Sequence, residues 1–136
     1  MRFKNEEDRE MLTFLHPVLL MIFFDLEHYA QSRHGIELVV TQTYTTKEID
    51  DSLKRVSDAH RTFRAIDIRT KDLDVFVVND LIEYINNKRE YEQYKYMSNS
   101  GRKRLAFFHV GTLQHLHISI HKSFSLYNNK TSEFSH

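Results

Sequence analysis

The feature that most constrains this chain is a strict alternation near its carboxyl end, where residues 115–121 read His-Leu-His-Ile-Ser-Ile-His. Alternation with period two is typical of a β-strand that has one apolar and one polar face. Residues 64–70 alternate in the same way, with Ile66 and Ile68 on one face and Asp67 on the other. If both apolar faces cover the same core, Asp67 and the row of histidines emerge together on the opposite face of one sheet.

The remaining elements are predicted from apolar periodicity and from the positions of proline and glycine. They are a helix from Pro17 to about Gly35, a strand over 36–43, a helix from Leu73 to Ile85 with Asp72 or Asp74 near its start, a strand over 105–110 and a turn over 111–114. Residues 44–60 and 86–102 are predicted as loops, the first with one short helix. This order indicates an α+β fold with a small, mainly antiparallel sheet and helices on one face.

A chain of 136 residues, 40% of them hydrophobic, fits one domain, which we place at residues 1–121, with 122–136 as a polar and mobile tail. Nineteen basic residues balance nineteen acidic ones, which argues against a nucleic-acid partner. The apolar stretch over 14–24 is too short to span a membrane, and the acidic residues before it do not fit a signal peptide. We therefore expect a chain that is cytoplasmic as synthesised and has no membrane partner. Its oligomeric state is left open.

Nine histidines and no cysteine mean that any metal site must combine histidine with aspartate or glutamate. Asp67 and the histidine row supply both kinds of ligand on one face, and His60 is the natural third member if residues 60–64 curl back over the sheet. Three protein ligands with an open fourth position are typical of a catalytic zinc ion. The alternative is a metal-free structural protein with unrelated polar side chains on a solvated face.

Two segments, residues 60–67 (HRTFRAID) and residues 115–117 (HLH), resemble the HxxGxAxD…HxH signature of the zinc D-alanyl-D-alanine peptidases and related phage endolysins. Those proteins share a fold with the hedgehog signalling domain. The resemblance covers about residues 15–121. It implies that His60, Asp67 and His117 bind Zn²⁺, that His115 lies beside the metal, and that the substrate is a peptide of peptidoglycan.

The sequence departs from that signature at places that bear on activity. Phe63 occupies the glycine position of the first motif, and Thr45 stands where these peptidases usually carry an arginine. No aspartate or glutamate lies between residues 105 and 121, so the usual acidic base is missing. His115 and His109 are the candidate catalytic residues in its place. A turn over 111–114 pairs His109 with Leu116 and directs it to the core side, unless a bulge at Gly111 reverses the alternation, so a core or edge histidine is the favoured interpretation of His109. His115 is therefore the preferred base, with a positioning or transition-state-binding role as its alternative.

The function predicted from these residues is a zinc-dependent peptidase of phage origin that hydrolyses a bond in the stem or crosslink peptides of peptidoglycan. Tyr44, Ser57 and Arg64 are predicted to line the substrate cleft, although a solvated charge is the alternative for Arg64. Lysis of the host or carriage in a virion would bring the enzyme to the wall. The alternative function is a zinc-binding module of the same fold that has lost hydrolysis and serves in binding or in a virion.

Overall fold

A computed structural model describes residues 1–109 and 114–124 of this chain. Its main sheet has five strands in the order β1-β2-β3-β7-β6. They are β1 (Arg2–Phe3), β2 (Val39–Gln42), β3 (Ala65–Arg69), β6 (Ala106–His109) and β7 (His115–Ser119). Only the pair β1–β2 is parallel within this sheet; the other neighbours are antiparallel. The predicted α+β class with a mainly antiparallel sheet is therefore confirmed.

Within the described residues, four α-helices accompany the sheet, namely α1 (Glu6–Met11), α2 (Pro17–His34), α3 (Lys47–Ser52) and α4 (Val75–Asn86). Helix α2 begins at Pro17, which needs no hydrogen-bond acceptor for its nitrogen, and ends at Gly35, whose φ of 65° is left-handed. Helix α4 begins after Asp74, whose carboxylate accepts a hydrogen bond from Phe76 N. The predicted helices are confirmed. Among the described residues, no helix has both the length and the hydrophobicity needed to cross a membrane.

The core lies between one face of the sheet and the helices α2 and α4. Strands β3 and β7 each contribute two fully buried aliphatic side chains, Ile66 and Ile68 from the first and Leu116 and Ile118 from the second. The helices contribute Leu19, Ile22, Phe23 and Leu26 from α2 and Leu81 and Ile85 from α4. Burying each of these side chains contributes about 1.5–3 kcal/mol to the stability of the fold, so this face of the sheet must lie against the helices. The polar residues that alternate with them therefore lie on the other face.

The pairing of β6 with β7 corrects one prediction. His109 pairs with His115 and not with Leu116, so His109 lies on the same sheet face as His115 and not on the core side. This register places Phe108 opposite Leu116 and Ala106 opposite Ile118, so that apolar residues of both strands share the inner face. The apolar residues of β6 and β7 thus determine the register. With His109 opposite His115, the connection between the two strands is one residue longer than the predicted turn. Residue 110, predicted as the end of this strand, and residues 111–113 of the predicted turn lie outside the described part of the chain.

Three other regions differ from the predicted pattern. The strand predicted over 36–43 is shorter, and the predicted loop 86–102 contains a 3₁₀ helix (Arg89–Tyr94) and strand β4 (Tyr96–Met97), which pairs with β5 (Lys103–Arg104) in a second, two-stranded sheet. The first residues of the predicted tail form a 3₁₀ turn (Lys122–Phe124), and the Phe124 ring packs on Tyr94. Residues 125–136 lie outside the described residues.

A carboxylate on α2 holds the helical layer together. Asp25 accepts hydrogen bonds from the hydroxyls of Tyr84 (2.7 Å) and Tyr91 (2.6 Å), and Lys88 Nζ lies 3.0 Å from the same group. Burial by itself would raise the pKa of Asp25, but its hydrogen bonds from Tyr91, Tyr84 and Lys88 outweigh burial and lower that pKa below the ordinary value of 3.8. Asp25 thus joins α2, α4 and the 3₁₀ helix while it is ionised.

Replacing this carboxylate should weaken the helical layer in a pH-dependent way. Because the pKa of Asp25 is lower in the folded state, its stabilisation is present above about pH 4 and is lost as the pH falls through the folded pKa. We expect Asp25→Asn to reduce the free energy of unfolding by about 1–3 kcal/mol at pH 7, and by less at pH 3. Urea unfolding at both values measures this. The exposed Asp72→Asn is the control, and an equal loss at pH 7 and pH 3 would contradict the argument.

Candidate metal centre

Three side chains converge on the polar face of the sheet: His60, Asp67 and His117. One nitrogen or oxygen atom from each lies within 4.8 Å of the other two. Asp67 and His117 are direct partners across β3 and β7, and this register brings His117 Nδ1 to 2.8 Å from Asp67 Oδ1. His60 Nε2 lies 3.1 Å from Asp67 Oδ2. The structure thus brings together the three residues that the sequence predicted as metal ligands.

His60 reaches the sheet because the chain turns sharply just before β3. Thr62 N bonds to Asp58 O, Phe63 N bonds to His60 O, and Arg64 N bonds to Ala59 O. Phe63 adopts a left-handed φ of 63° in this turn, a conformation that costs a residue with a Cβ about 1–2 kcal/mol. The predicted curling of this segment is therefore present. Phe63 stands where the peptidase signature has glycine, and its left-handed backbone conformation is one that favours glycine.

The Phe63 side chain offsets part of that strain by packing. Its ring is nearly buried and stacks on Tyr44, with centroids 4.7 Å apart and planes 15° apart. Its carbonyl oxygen also accepts a hydrogen bond from His16 N, the residue that precedes α2. The turn that carries His60 is therefore fixed from two sides, by an aromatic contact and by the start of a core helix.

The two nitrogens of His60 have different surroundings. Nδ1 lies 3.2 Å from the carbonyl oxygen of Thr43, an acceptor, so Nδ1 carries the proton and donates it. In a neutral His60 ring, Nε2 then has a lone pair; this atom is buried without a hydrogen-bond partner among the described residues, although Asp67 Oδ2 lies 3.1 Å away. A lone pair facing a carboxylate oxygen in a buried place is unfavourable, and either a proton on Nε2 or a metal ion between the two atoms would relieve it. The residues present therefore fit a bound metal ion.

The protonation states of the other two residues also suit a cation. Burial by itself would raise the pKa of Asp67, which is only 3% exposed, but His60 and His117 outweigh it and hold that pKa well below its ordinary value. Burial lowers the pKa of His117, and the neighbouring Asp67 does not reverse this direction. The ionised carboxylate of Asp67 and a neutral imidazole of His117 are forms that ligate metals. The cluster can thus hold a metal ion at neutral pH.

The two candidate catalytic histidines lie at the rim of this cluster. His115 Nε2 is 3.5 Å from Asp67 Oδ2, and the ring of His109 stacks on that of His115 with centroids 4.8 Å apart. Since His109 is exposed and His115 is half-buried, both lie where a substrate could approach the cluster. Their catalytic roles stay predictions.

The three predicted cleft residues have distinct surroundings. Tyr44 is half-buried against Phe63, and the exposed Ser57 accepts a hydrogen bond from Ala59 N. Arg64 is buried, and its guanidinium donates to the Ile120 carbonyl oxygen (2.9 Å) and to Asp58 Oδ1 (2.8 Å). Arg64 therefore clamps the His60 turn to the end of β7. The substrate-binding roles of all three residues stay predictions.

The structure adds one group that the sequence did not indicate. The Phe107 ring lies 5.0 Å from that of His117, and the Arg104 guanidinium lies 4.1 Å above the Phe107 ring. Arg104 Nε also donates to the hydroxyl of Tyr96, whose pKa is raised by burial. The Arg104 guanidinium thus lies on the side of the cluster that Phe107 and His117 form. No sequence signal could have placed it there, because the position of Phe107 depends on the β6–β7 register.

Comparison with protein-family models, curated proteins and solved structures gave no match to this chain. The function therefore has to be argued from the geometry of these side chains.

Adding and removing metal should change the stability of the protein. We expect the chelator-treated protein to gain stability on adding zinc, by about 2.7 kcal/mol at a free zinc concentration one hundred times Kd, because the ion binds only the folded state. His117→Ala should lose this gain. His121→Ala is the matched control, since that residue bonds to Ser123 and not to the cluster. Thermal unfolding with and without zinc measures the effect, and an unchanged Tm in the wild-type protein would rule out the site.

Because Phe63 is strained, alanine and glycine substitutions at this position should rank in stability opposite to their usual order. Both Phe63→Ala and Phe63→Gly remove the stacked ring, but only glycine relieves the left-handed φ. We therefore expect the Gly variant to be the more stable of the two by about 1 kcal/mol, whereas glycine ordinarily costs about 0.5–1 kcal/mol relative to alanine. Ala30→Gly in α2 is the control and should be destabilising. Urea unfolding measures all three variants, and a less stable Phe63→Gly would contradict the strain argument.

Proposed function

We propose that this protein is a zinc-dependent peptidase similar to the D-alanyl-D-alanine peptidases, acting on a peptide bond in the stem or crosslink peptides of peptidoglycan. The observation that carries the proposal is the cluster of His60, Asp67 and His117, in which the buried His60 Nε2 has no hydrogen-bond partner among the described residues. Two histidines and one carboxylate form a three-ligand set of the kind found in catalytic zinc sites, which keep a further position open for water or substrate.

Two structural details favour the peptidase resemblance over a chance cluster. The glycine position of the signature, filled here by Phe63, has a left-handed φ of 63°. The two motifs also meet in space, because Asp67 of the first pairs across the sheet with His117 of the second. An unrelated set of polar residues would have no reason to combine that turn with that register. We therefore extend the proposal to the fold shared by these peptidases and the hedgehog domain.

A zinc ion bound here would lower the pKa of a water molecule towards about 7 and polarise a peptide carbonyl. Asp67 stays ionised and lies 2.8 Å from His117 Nδ1 and 3.1 Å from His60 Nε2, which places a negative charge at the bottom of the site. The His115 side chain is 17% exposed against 4% for Asp67, so His115 is more accessible to a substrate than the carboxylate is. His115 is thus placed to move a proton or to donate to the developing oxyanion.

A second function is favoured by one specific observation, the lack of an acidic base. Residues 105–121 contain no aspartate or glutamate. Thr45 is no substitute for the missing arginine, since it is buried and donates to Asp50 Oδ1 at 2.7 Å. The alternative proposal is therefore a zinc-binding module of the same fold that acts in recognition or as part of a virion. Both proposals share the metal centre and differ only in turnover.

Turnover on purified peptidoglycan separates the two functions. With zinc present, we expect the wild-type protein to release new peptide termini, detected by mass spectrometry of the soluble fragments. Asp67→Ala should abolish the reaction, and His115→Ala should slow it by about 10²–10⁴-fold, the usual contribution of a general acid–base group. The exposed His28→Ala on α2 is the control and should retain full activity.

The outcomes of that experiment are distinct. If the protein binds about one equivalent of zinc but hydrolyses nothing, the peptidase proposal fails and the zinc-binding recognition module is the function supported. Hydrolysis that survives Asp67→Ala would show that the reaction does not use this centre.

A further inference from the structure

A buried carboxylate in the amino-terminal helix has no role in the site described so far. Asp8 belongs to α1 and is only 7% exposed. Its Oδ1 accepts two hydrogen bonds from Thr43, one from the backbone nitrogen (2.8 Å) and one from the hydroxyl Oγ1 (2.9 Å). The hydroxyl of Thr43 also lies 3.2 Å from the Asp8 carbonyl oxygen. Asp8 thus fixes both the backbone and the side chain of Thr43.

Thr43 is also the residue that faces the candidate metal ligand His60. The carbonyl oxygen of Thr43 lies 3.2 Å from His60 Nδ1. A carbonyl can only accept, so its position determines which nitrogen of His60 carries the proton and which keeps the lone pair. A continuous series of hydrogen bonds therefore runs from Asp8 through Thr43 to His60, and His60 Nε2 faces Asp67.

Thr43 can reach both partners because of an irregularity in β2. The strand pairs Val40 with Ile68 but Gln42 with Asp67, so one extra residue is inserted between them. This bulge reverses the inward and outward alternation at the end of β2. The carbonyl of Thr43 thereby faces the His60 turn, while its N–H faces α1.

We propose that Asp8 is a positioning residue of the metal centre: it holds Thr43 so that the Thr43 carbonyl fixes the orientation and tautomer of His60. This inference rests on the metal centre proposed above. Outer hydrogen-bond partners of ligating histidines usually accept the proton of the second ring nitrogen, and losing them weakens metal binding. Asp8 acts one step further out, by holding in place the backbone that supplies such a partner.

The amino-terminal segment has other attachments, so variants of Asp8 can be tested in a folded chain. Strand β1 pairs with β2, and the backbone bonds Arg2 N to Leu38 O (2.9 Å) and Lys4 N to Val40 O (2.8 Å) do not involve Asp8. Met1 forms an ion pair with Glu27 on α2. The position of the segment on the sheet therefore does not depend on Asp8 alone.

The experiment compares Asp8→Ala, Asp8→Asn and Asp8→Glu in the full-length chain. Alanine removes the acceptor, asparagine keeps an oxygen in place, and glutamate keeps the charge but displaces the oxygen. Zinc affinity is measured by competition with a chromophoric chelator, and ligand geometry by the visible spectrum of the Co²⁺ form. We expect Asp8→Ala and Asp8→Glu to weaken zinc binding by about 10–100-fold and to alter the Co²⁺ spectrum. Asp8→Asn should restore both.

The matched control is Asp25→Asn, which removes a carboxylate with several hydrogen bonds from the helical layer and should lower stability while leaving zinc affinity unchanged. If wild-type protein binds no zinc, the proposed function fails. If it binds zinc and both Asp8→Ala and Asp8→Glu bind as tightly with an unchanged Co²⁺ spectrum, the inference is overturned and the metal centre stands. Should Asp8→Ala not fold, Asp8→Glu decides by the same criterion.

Discussion

The ladder between β3 and β7 places the Asp67 carboxylate 2.8 Å from His117 Nδ1, and both the core and the candidate site depend on this pairing. The apolar residues of the two strands must face the helices together, because each strand has one aliphatic side and one polar side. A slip of one residue would turn Asp67 into the core, where an ionised carboxylate is strongly disfavoured. The burial of four aliphatic side chains thus determines the geometry of the polar face.

Polar groups on that face are held by contacts from several distant parts of the chain. His60 comes from a turn whose strained residue, Phe63, is kept in place by stacking on Tyr44 and by the hydrogen bond to the start of α2. Arg64 clamps the same turn to β7. Backbone strain persists only where surrounding contacts over-determine it, and such places cluster at functional sites. The distribution of strain and burial therefore agrees with a functional role for this cluster.

The rim of the cluster contains the features on which the two proposed functions differ. His115 and His109 form a stacked pair beside Asp67, and Arg104 lies on Phe107 against His117. These are neutral or cationic donors, and residues 105–121 supply no second carboxylate. A site of this composition favours binding of an anionic or developing negative charge. In the proposed peptidase, proton transfer would rely on histidine, which would set it apart from a peptidase with an acidic base.

Local sequence patterns were sufficient for α2, α4, β3 and β7, because helix caps and period-two alternation reflect interactions between neighbouring residues. The same alternation placed Asp67 and His117 on one face, and the motif resemblance added His60. The register of His109, the Arg104–Phe107 wall and the link from Asp8 to Thr43 could not be predicted in this way. The first two depend on which residues lie opposite one another after packing. The third depends on a β-bulge in β2 that the residue types there do not indicate. The candidate ligands followed from the sequence, whereas the orientation of each one depends on contacts that form only in the folded chain.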